Sequence, residues 1–106
     1  MTKKPETVKE EDLIKRKDGL YYKKYARVPF TGAAKDFYEN GQLKIRGNFK
    51  DGKEDGLGER FYENGQLERR KNWKDGKEDG LWEWFDDNGQ LTKTETWKNG
   101  ELAEEN

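Results

Sequence analysis

The sequence predicts an all-β protein, a single twisted and curled sheet built as an antiparallel β-meander of 24-residue hairpin repeats. Three observations predict it. The string FYENGQL stands at 37–43 and again at 61–67, and FDDNGQL follows at 85–91, each 24 residues after the last. Residues 33–56 and 57–80 share 16 of 24 positions, and 57–80 and 81–104 share 10, which makes the array a true repeat. Each unit also carries two short strand-like runs and two different turn signals, while no segment sustains the 3.6-residue period of a helix.

Taken in order, residues 1–17 are dominated by charge and read as a loosely ordered segment, the only place where a helix is admissible. Asp18-Gly19 then separates LIKRK from LYYKKY and predicts a leading hairpin, with Pro29 in VPFTG bending the chain toward the array, so that 18–32 form a hairpin and bend. Residues 33–106 hold the three repeats, 33–56, 57–80 and 81–104. Within a unit the first run, such as 57–62, ends in Glu-Asn-Gly (Asp-Asn-Gly at 87–89), a strong hairpin signal. The longer second run, such as 66–73, ends in KDGKEDG, where Gly adopts φ > 0 and Asp bonds its own backbone. A partial predecessor precedes the first unit, because Gly32 lies 24 before Gly56, and the third unit degrades after Gly100 as a terminal cap does.

Alternation suggests what is buried. A three-residue Glu-Asn-Gly loop pairs Phe37 with Leu43 and Phe61 with Leu67, and strict period two then gathers an odd-numbered row on one face. That row is Phe37, Leu43, Ile45, Phe49, Leu57, Phe61, Leu67, Trp73, Leu81, Phe85, Leu91 and Trp97. The opposite face is expected to carry Gln42, Lys44, Arg46, Arg60 and Arg70, with Tyr38, Tyr62, Trp82 and Trp84 among them.

Composition narrows the chemistry. Charged residues make up 42% of the chain against 29% hydrophobic, a ratio typical of disorder, but the net charge is only −1 and aromatic residues reach 13%, so a folded, thin-cored domain is expected. There is no His, no Cys and no Ser, which removes the usual zinc, haem, iron–sulfur and thiol ligands and the Ser-His and Cys-His arrangements. Near-zero net charge argues against nucleic acid as a partner. No apolar run approaches the roughly 18–20 residues of a membrane span, and MTKKPETVKEED has no apolar signal core. The expected compartment is cytoplasmic if residue 1 is the natural start and exported if it follows a removed signal peptide.

The pattern F-Y-x-N-G-Q-L, then W-K-D-G-K-x-D-G and L-W-x-x-F, resembles the MORN-repeat variant found in many bacterial proteins, over residues 33–102. KDGKEDGLG is similar to the K-x-G-K-x-x-G-x-G core of ordinary MORN repeats. The resemblance implies a MORN-like β-meander and a role as an antitoxin or immunity component of a toxin–antitoxin system; other members are exported proteins, some implicated in host-cell contact. Asp-Gly at 55–56 and 79–80 replaces the His-Gly pair of ordinary repeats, and the aromatic-x-Gly start is missing, so the phospholipid binding attributed to some ordinary arrays is not carried over.

Three candidate sites remain. Asp51, Glu54 and Asp55, repeated as Asp75, Glu78 and Asp79, bunch carboxylates, but Lys53 and Lys77 occupy the third EF-hand position, so a solvated turn is favoured over calcium. Glu83 and Asp86 beside Trp82 and Trp84 could serve a glycan, yet an open sheet offers no cleft to raise a carboxyl pKa. The expected partner-binding set is Tyr38, Tyr62, Trp82, Trp84, Arg46, Arg60 and Arg70, because Tyr, Trp and Arg are enriched in protein-binding hot spots; packing beneath the leading hairpin is the equal alternative. The expectation is a non-enzymatic protein-binding module with no catalytic residue, cofactor or metal, acting as an antitoxin-type partner. The alternatives are an exported or surface-associated interaction protein and, more weakly, an anionic-lipid module, since Glu6, Glu10, Glu11 and Asp12 offset the nearby lysines. Open sheet edges also allow a homodimer.

Overall fold

The computed structural model describes residues 6–106. The chain runs β1 (Glu6–Lys9), a single 3-10 turn (Glu10–Asp12), β2 (Leu13–Lys15), β3 (Tyr21–Lys23), β4 (Gly32–Phe37), β5 (Leu43–Lys50), β6 (Lys53–Glu54), β7 (Gly56–Phe61), β8 (Leu67–Lys74), β9 (Lys77–Glu78), β10 (Gly80–Phe85), β11 (Leu91–Lys98) and β12 (Glu101–Glu105). The main sheet has the order β1-β4-β5-β7-β8-β10-β11-β12, with β6 on β5 and β9 on β8, and it does not close. Every pairing in it is antiparallel except β1 with β4. The Cα radius of gyration is 14.9 Å, above the roughly 13 Å of a compact globule of this length, as an open slab requires.

The repeat meets its expected hairpins. Tyr38 N donates to Gln42 O and Gly41 N to Tyr38 O, closing the three-residue loop Glu39-Asn40-Gly41, and Phe37 stands opposite Leu43. The same closure recurs with Phe61 opposite Leu67 and Phe85 opposite Leu91. At the other end Lys50 pairs with Lys53 across Asp51-Gly52, whose φ values of 50° and 83° are the two left-handed positions of a type I′ turn.

The odd-numbered row, however, is divided between the two faces. Asp36 is opposite Ile45 but Phe37 is opposite Leu43, so Lys44 is an extra residue, and Glu68 and Thr92 are its equivalents. A one-residue bulge reverses the alternation along β5, β8 and β11, so that odd positions there share a face with even positions of β4, β7 and β10. Ile45, Phe49, Trp73 and Trp97 therefore lie on an inner face with Ala34, Gly58, Trp82 and Trp84. Phe37, Leu57, Phe61, Leu81 and Phe85, with Leu43, Leu67 and Leu91, fall on the outer face, where Phe37 is 54% and Leu91 53% exposed. The period-two reading failed because a bulge leaves no mark in the hydrophobic pattern.

Successive units are tied by 24-residue steps. Gly52 N, Gly76 N and Gly100 N donate to Phe30 O, Glu54 O and Glu78 O, each at 2.8 Å. Asp51 N, Asp75 N and Asn99 N donate to Thr31 Oγ1, Asp55 Oδ1 and Asp79 Oδ1. Phe30 and Thr31 thus stand in for the end of a missing predecessor unit. Asn40 and Asn64, expected only to form turns, also donate through Nδ2 to Glu63 O and Asp87 O of the next hairpin.

The leading hairpin is β2–β3, with Ile14 opposite Tyr22, and it covers the inner face: the rings of Tyr21 and Phe49 lie 5.1 Å apart, and those of Phe30 and Phe49 5.9 Å. Residues 6–15 of the charged segment supply β1, the 3-10 turn and β2, more order than their charge suggested, because the exposed edge of β4 gives β1 backbone partners. Residues 1–5 of that segment lie outside the described residues.

Candidate functional site

On the inner face the first two units leave a groove of about 320 Å³. Its floor is Ala34, Gly47 and Gly58, its walls are Leu13, Tyr21, Phe49 and Trp73, and Arg60, Arg69 and Lys71 line it toward the Glu-Asn-Gly end of the strands. Glu10 and Glu54 line the end beneath the leading hairpin. Burial first, then the charges of Glu54 and Glu10, raise the Tyr21 hydroxyl above its ordinary pKa.

The three cations are placed by register. Arg60 on β7 is directly opposite Arg69 on β8, and Gly58 is opposite Lys71. Like charges in direct cross-strand pairs repel. Arg60 finds Glu68 at 3.5 Å, the bulge residue of its own hairpin. Among the described residues, Arg69 and Lys71 have no acidic partner within 4.0 Å. Lys71 Nζ lies 4.4 Å from the Trp82 ring centroid, and burial followed by the neighbouring Arg69 depresses its ammonium pKa.

Beyond the groove the third unit fills the same face. Trp82 is 6% exposed, its ring centroid 5.2 Å from Trp73, 6.1 Å from Trp84 and 5.2 Å from Trp97, and its Nε1 donates to Asn72 O. Trp97 Nε1 donates to Glu95 Oε1. Among the described residues Trp73 Nε1 has no acceptor, and it lies 3.6 Å from where a Cβ would stand on Gly58.

The seven expected partner-binding residues do not form one surface. Tyr38 and Tyr62 are clamps between hairpins, their hydroxyls donating to Phe61 O at 2.6 Å and Phe85 O at 2.7 Å. Arg46 and Arg70 lie on the outer face, where both grip the buried carboxylate of Glu59, and Arg70 also reaches Glu83 at 3.7 Å. Arg60, Trp82 and Trp84 share the inner face, Trp82 as core, Trp84 half-buried with Lys93 Nζ 4.9 Å from its ring centroid, and Arg60 in the groove. Neither Trp82 nor Trp84 packs beneath the leading hairpin by ring contact; they pack on other tryptophans. Sequence reading missed Arg69, Lys71, Tyr21 and the small floor. The available signal was positional, since Gly58 and Ala34 occupy the place of Trp82 in their own units.

The acidic turns have a structural use. Asp55 and Asp79 each accept the turn N–H of the following unit, and among the described residues no group of His, Cys, Asp or Glu is arranged to hold a metal ion.

The repeat-by-repeat geometry has a counterpart among protein families: the pattern described as MORN repeat variant matches at 30–51, 54–75 and 78–105, well over half the chain. The chain belongs to the MORN repeat variant family. Those matched units begin at Phe30, Glu54 and Glu78, the residues whose carbonyls receive the turn glycines, so the unit of sequence coincides with the unit of hydrogen bonding. MORN-variant membership marks a repeat module of a kind often involved in binding and generally without catalysis. No curated protein and no solved structure gives a significant match.

Proposed function

We propose that this MORN-variant chain is a non-catalytic module that binds another protein through the inner face of its sheet, serving as an antitoxin or immunity-type partner that occupies a surface of a toxin. The observation that supports it is the groove, where aromatic walls stand with two cations, Arg69 and Lys71, that have no acidic partner within 4.0 Å among the described residues, on a hydrogen-bonded repeat scaffold. Aromatic and Arg side chains at the centre of a surface are the usual anchors of a protein interface. A chain without His, Cys or Ser also has few of the groups on which nucleophilic and proton-transfer catalysis commonly depend.

Co-expression with each neighbouring open reading frame of the native genome tests this. A toxic product neutralised by the wild-type chain but not by a Gly58→Leu variant, which fills the groove, is the expected result. Neutralisation or complex formation that survives Gly58→Leu in a folded variant would move the interface off this face. No complex with any neighbour would remove the antitoxin role.

A further inference from the structure

The groove differs from the rest of the sheet in how its charges are answered. Outside the groove cations meet carboxylates: on the outer face Arg46 and Arg70 converge on Glu59, and on the inner face of the third unit Lys93 meets Glu95 at 3.1 Å. In the groove, Arg60 and Arg69 face each other across β7 and β8 with Lys71 two residues further on, and Glu68 is the one carboxylate within 4.0 Å of any of the three among the described residues. An anion bound between these cations would relieve that repulsion and gain charge-assisted hydrogen bonds.

The same groove is shaped for an apolar body. Glycine and alanine on its floor remove the side chains that would fill it, and Tyr21, Phe49 and Trp73 offer ring faces and edges around that floor. Its volume lies at the low end of the roughly 300–1,000 Å³ of ligand sites, room for one large side chain and its neighbours rather than an extended cofactor. The groove is also polar along its length: cations stand at the Glu-Asn-Gly end and Glu10 and Glu54 at the leading-hairpin end.

From this juxtaposition we propose that the groove receives an acidic segment of a partner protein, with an aromatic or large aliphatic side chain seated on Gly47 and Gly58 and its flanking carboxylates on Arg69, Lys71 and Arg60. The inference rests on the reading of the chain as a protein-binding module and adds the chemistry of the bound segment. Guanidinium groups suit the task because they hold carboxylates by paired N–H bonds. The carboxylates at the opposite end set direction, favouring a segment whose basic or N–H-rich side points toward Glu10 and Glu54.

The probe is a short synthetic peptide of glutamates flanking one phenylalanine, titrated into the full chain while tryptophan fluorescence is followed, since Trp73 walls the groove. Saturable binding that weakens with added salt is expected. Arg69→Glu and Gly58→Leu should each weaken it by roughly tenfold or more, because each leaves a charge or a side chain without its place. Lys74→Glu, an exposed position outside the groove, should leave it unchanged. Circular dichroism melts confirm that each variant is folded. Should Gly58→Leu fail to fold, Arg69→Glu alone decides the matter.

Equal binding of a lysine-flanked or phenylalanine-free peptide would overturn the proposal, as would indifference to Arg69→Glu. Binding to vesicles of anionic phospholipid but not to the peptide would also overturn it, in favour of a lipid surface. If the peptide fails while a genomic neighbour is still bound and lost with Gly58→Leu, the acidic chemistry is wrong and the binding face stands. If both fail, both readings fall.

Discussion

Two ends of one face, built on one template, reach opposite solutions. Position by position, Ala34, Gly58 and Trp82 are equivalent, as are Gly47, Lys71 and Glu95, and Asp36, Arg60 and Trp84. The third unit fills the inner face with its own indoles, and Glu95, buried against Trp97 and Lys93, completes the packing. The first two units leave the floor bare and are roofed at one end by the leading hairpin. The ladder of backbone bonds is the same in both, so the scaffold tolerates either solution. What differs is where the buried surface comes from, and the bare end is therefore the one that keeps a groove.

The largest expected effect breaks the filled end. Trp82→Ala removes the hub of three ring contacts and its bond to Asn72 O, and should cost about 3–5 kcal/mol, the range for truncating a buried Trp. Gly58→Ala at the equivalent position meets nothing closer than 3.6 Å and should change stability by less than about 1 kcal/mol. Urea unfolding midpoints compare the two. Similar costs would mean that the two ends are not packed differently.

Next in size is the junction where the roof attaches. Gly52 and Gly76 are equivalent turn residues with φ of 83° and 79°, so an added Cβ strains either by about 1–2 kcal/mol. At Gly76 that Cβ would lie 3.5 Å from the flexible Lys53 side chain, but at Gly52 it would lie 2.8 Å from both Leu20 and Pro29. Gly52 also donates to Phe30 O and accepts from Tyr21 N. Gly52→Ala should therefore cost about 1–3 kcal/mol more than Gly76→Ala. Thermal melts of the pair test this, and equal costs would show that the leading hairpin adds nothing to stability.

The contrast also explains what could be read from sequence. The loops, the 24-residue unit and the all-β meander were legible because Asn-Gly and Asp-Gly dictate backbone conformations that few other residues adopt. The leading hairpin was visible in Asp18-Gly19 for the same reason. The assignment of faces was not legible, because the bulges at Lys44, Glu68 and Thr92 insert a residue without any compositional sign. That single omission moved Trp82 and Trp84 from the inner to the polar face and grouped Arg46 and Arg70 with Arg60. Groove residues such as Arg69 became visible only once β7 and β8 were in register, since a like-charge pair exists in space and not in the string.

The smallest effect concerns the step between units, and it sharpens the difference between interior and terminal repeats. Tyr38 and Tyr62 each reach forward 23 residues to a carbonyl of the next hairpin, whereas the third unit has Asp86 in that place, turned back on Asn88 N and Gln90 N. Burial first, then Glu68, Asp87 and Asp86, raise the Tyr62 hydroxyl above its ordinary value of 10.0. The folded chain thus keeps this proton after the unfolded chain has lost it. The contribution is fully present below about pH 10 and disappears as pH rises through the higher folded value. Tyr62→Phe should lower the melting temperature at neutral pH by less than either substitution above. Tyr21 and Tyr22 are raised in the same direction, so the informative quantity is the difference between wild type and variant as pH increases. That difference should close on the alkaline side, and one that stays constant across the tyrosine titration would show that the hydroxyl bond to Phe85 O does not couple the second repeat to the third.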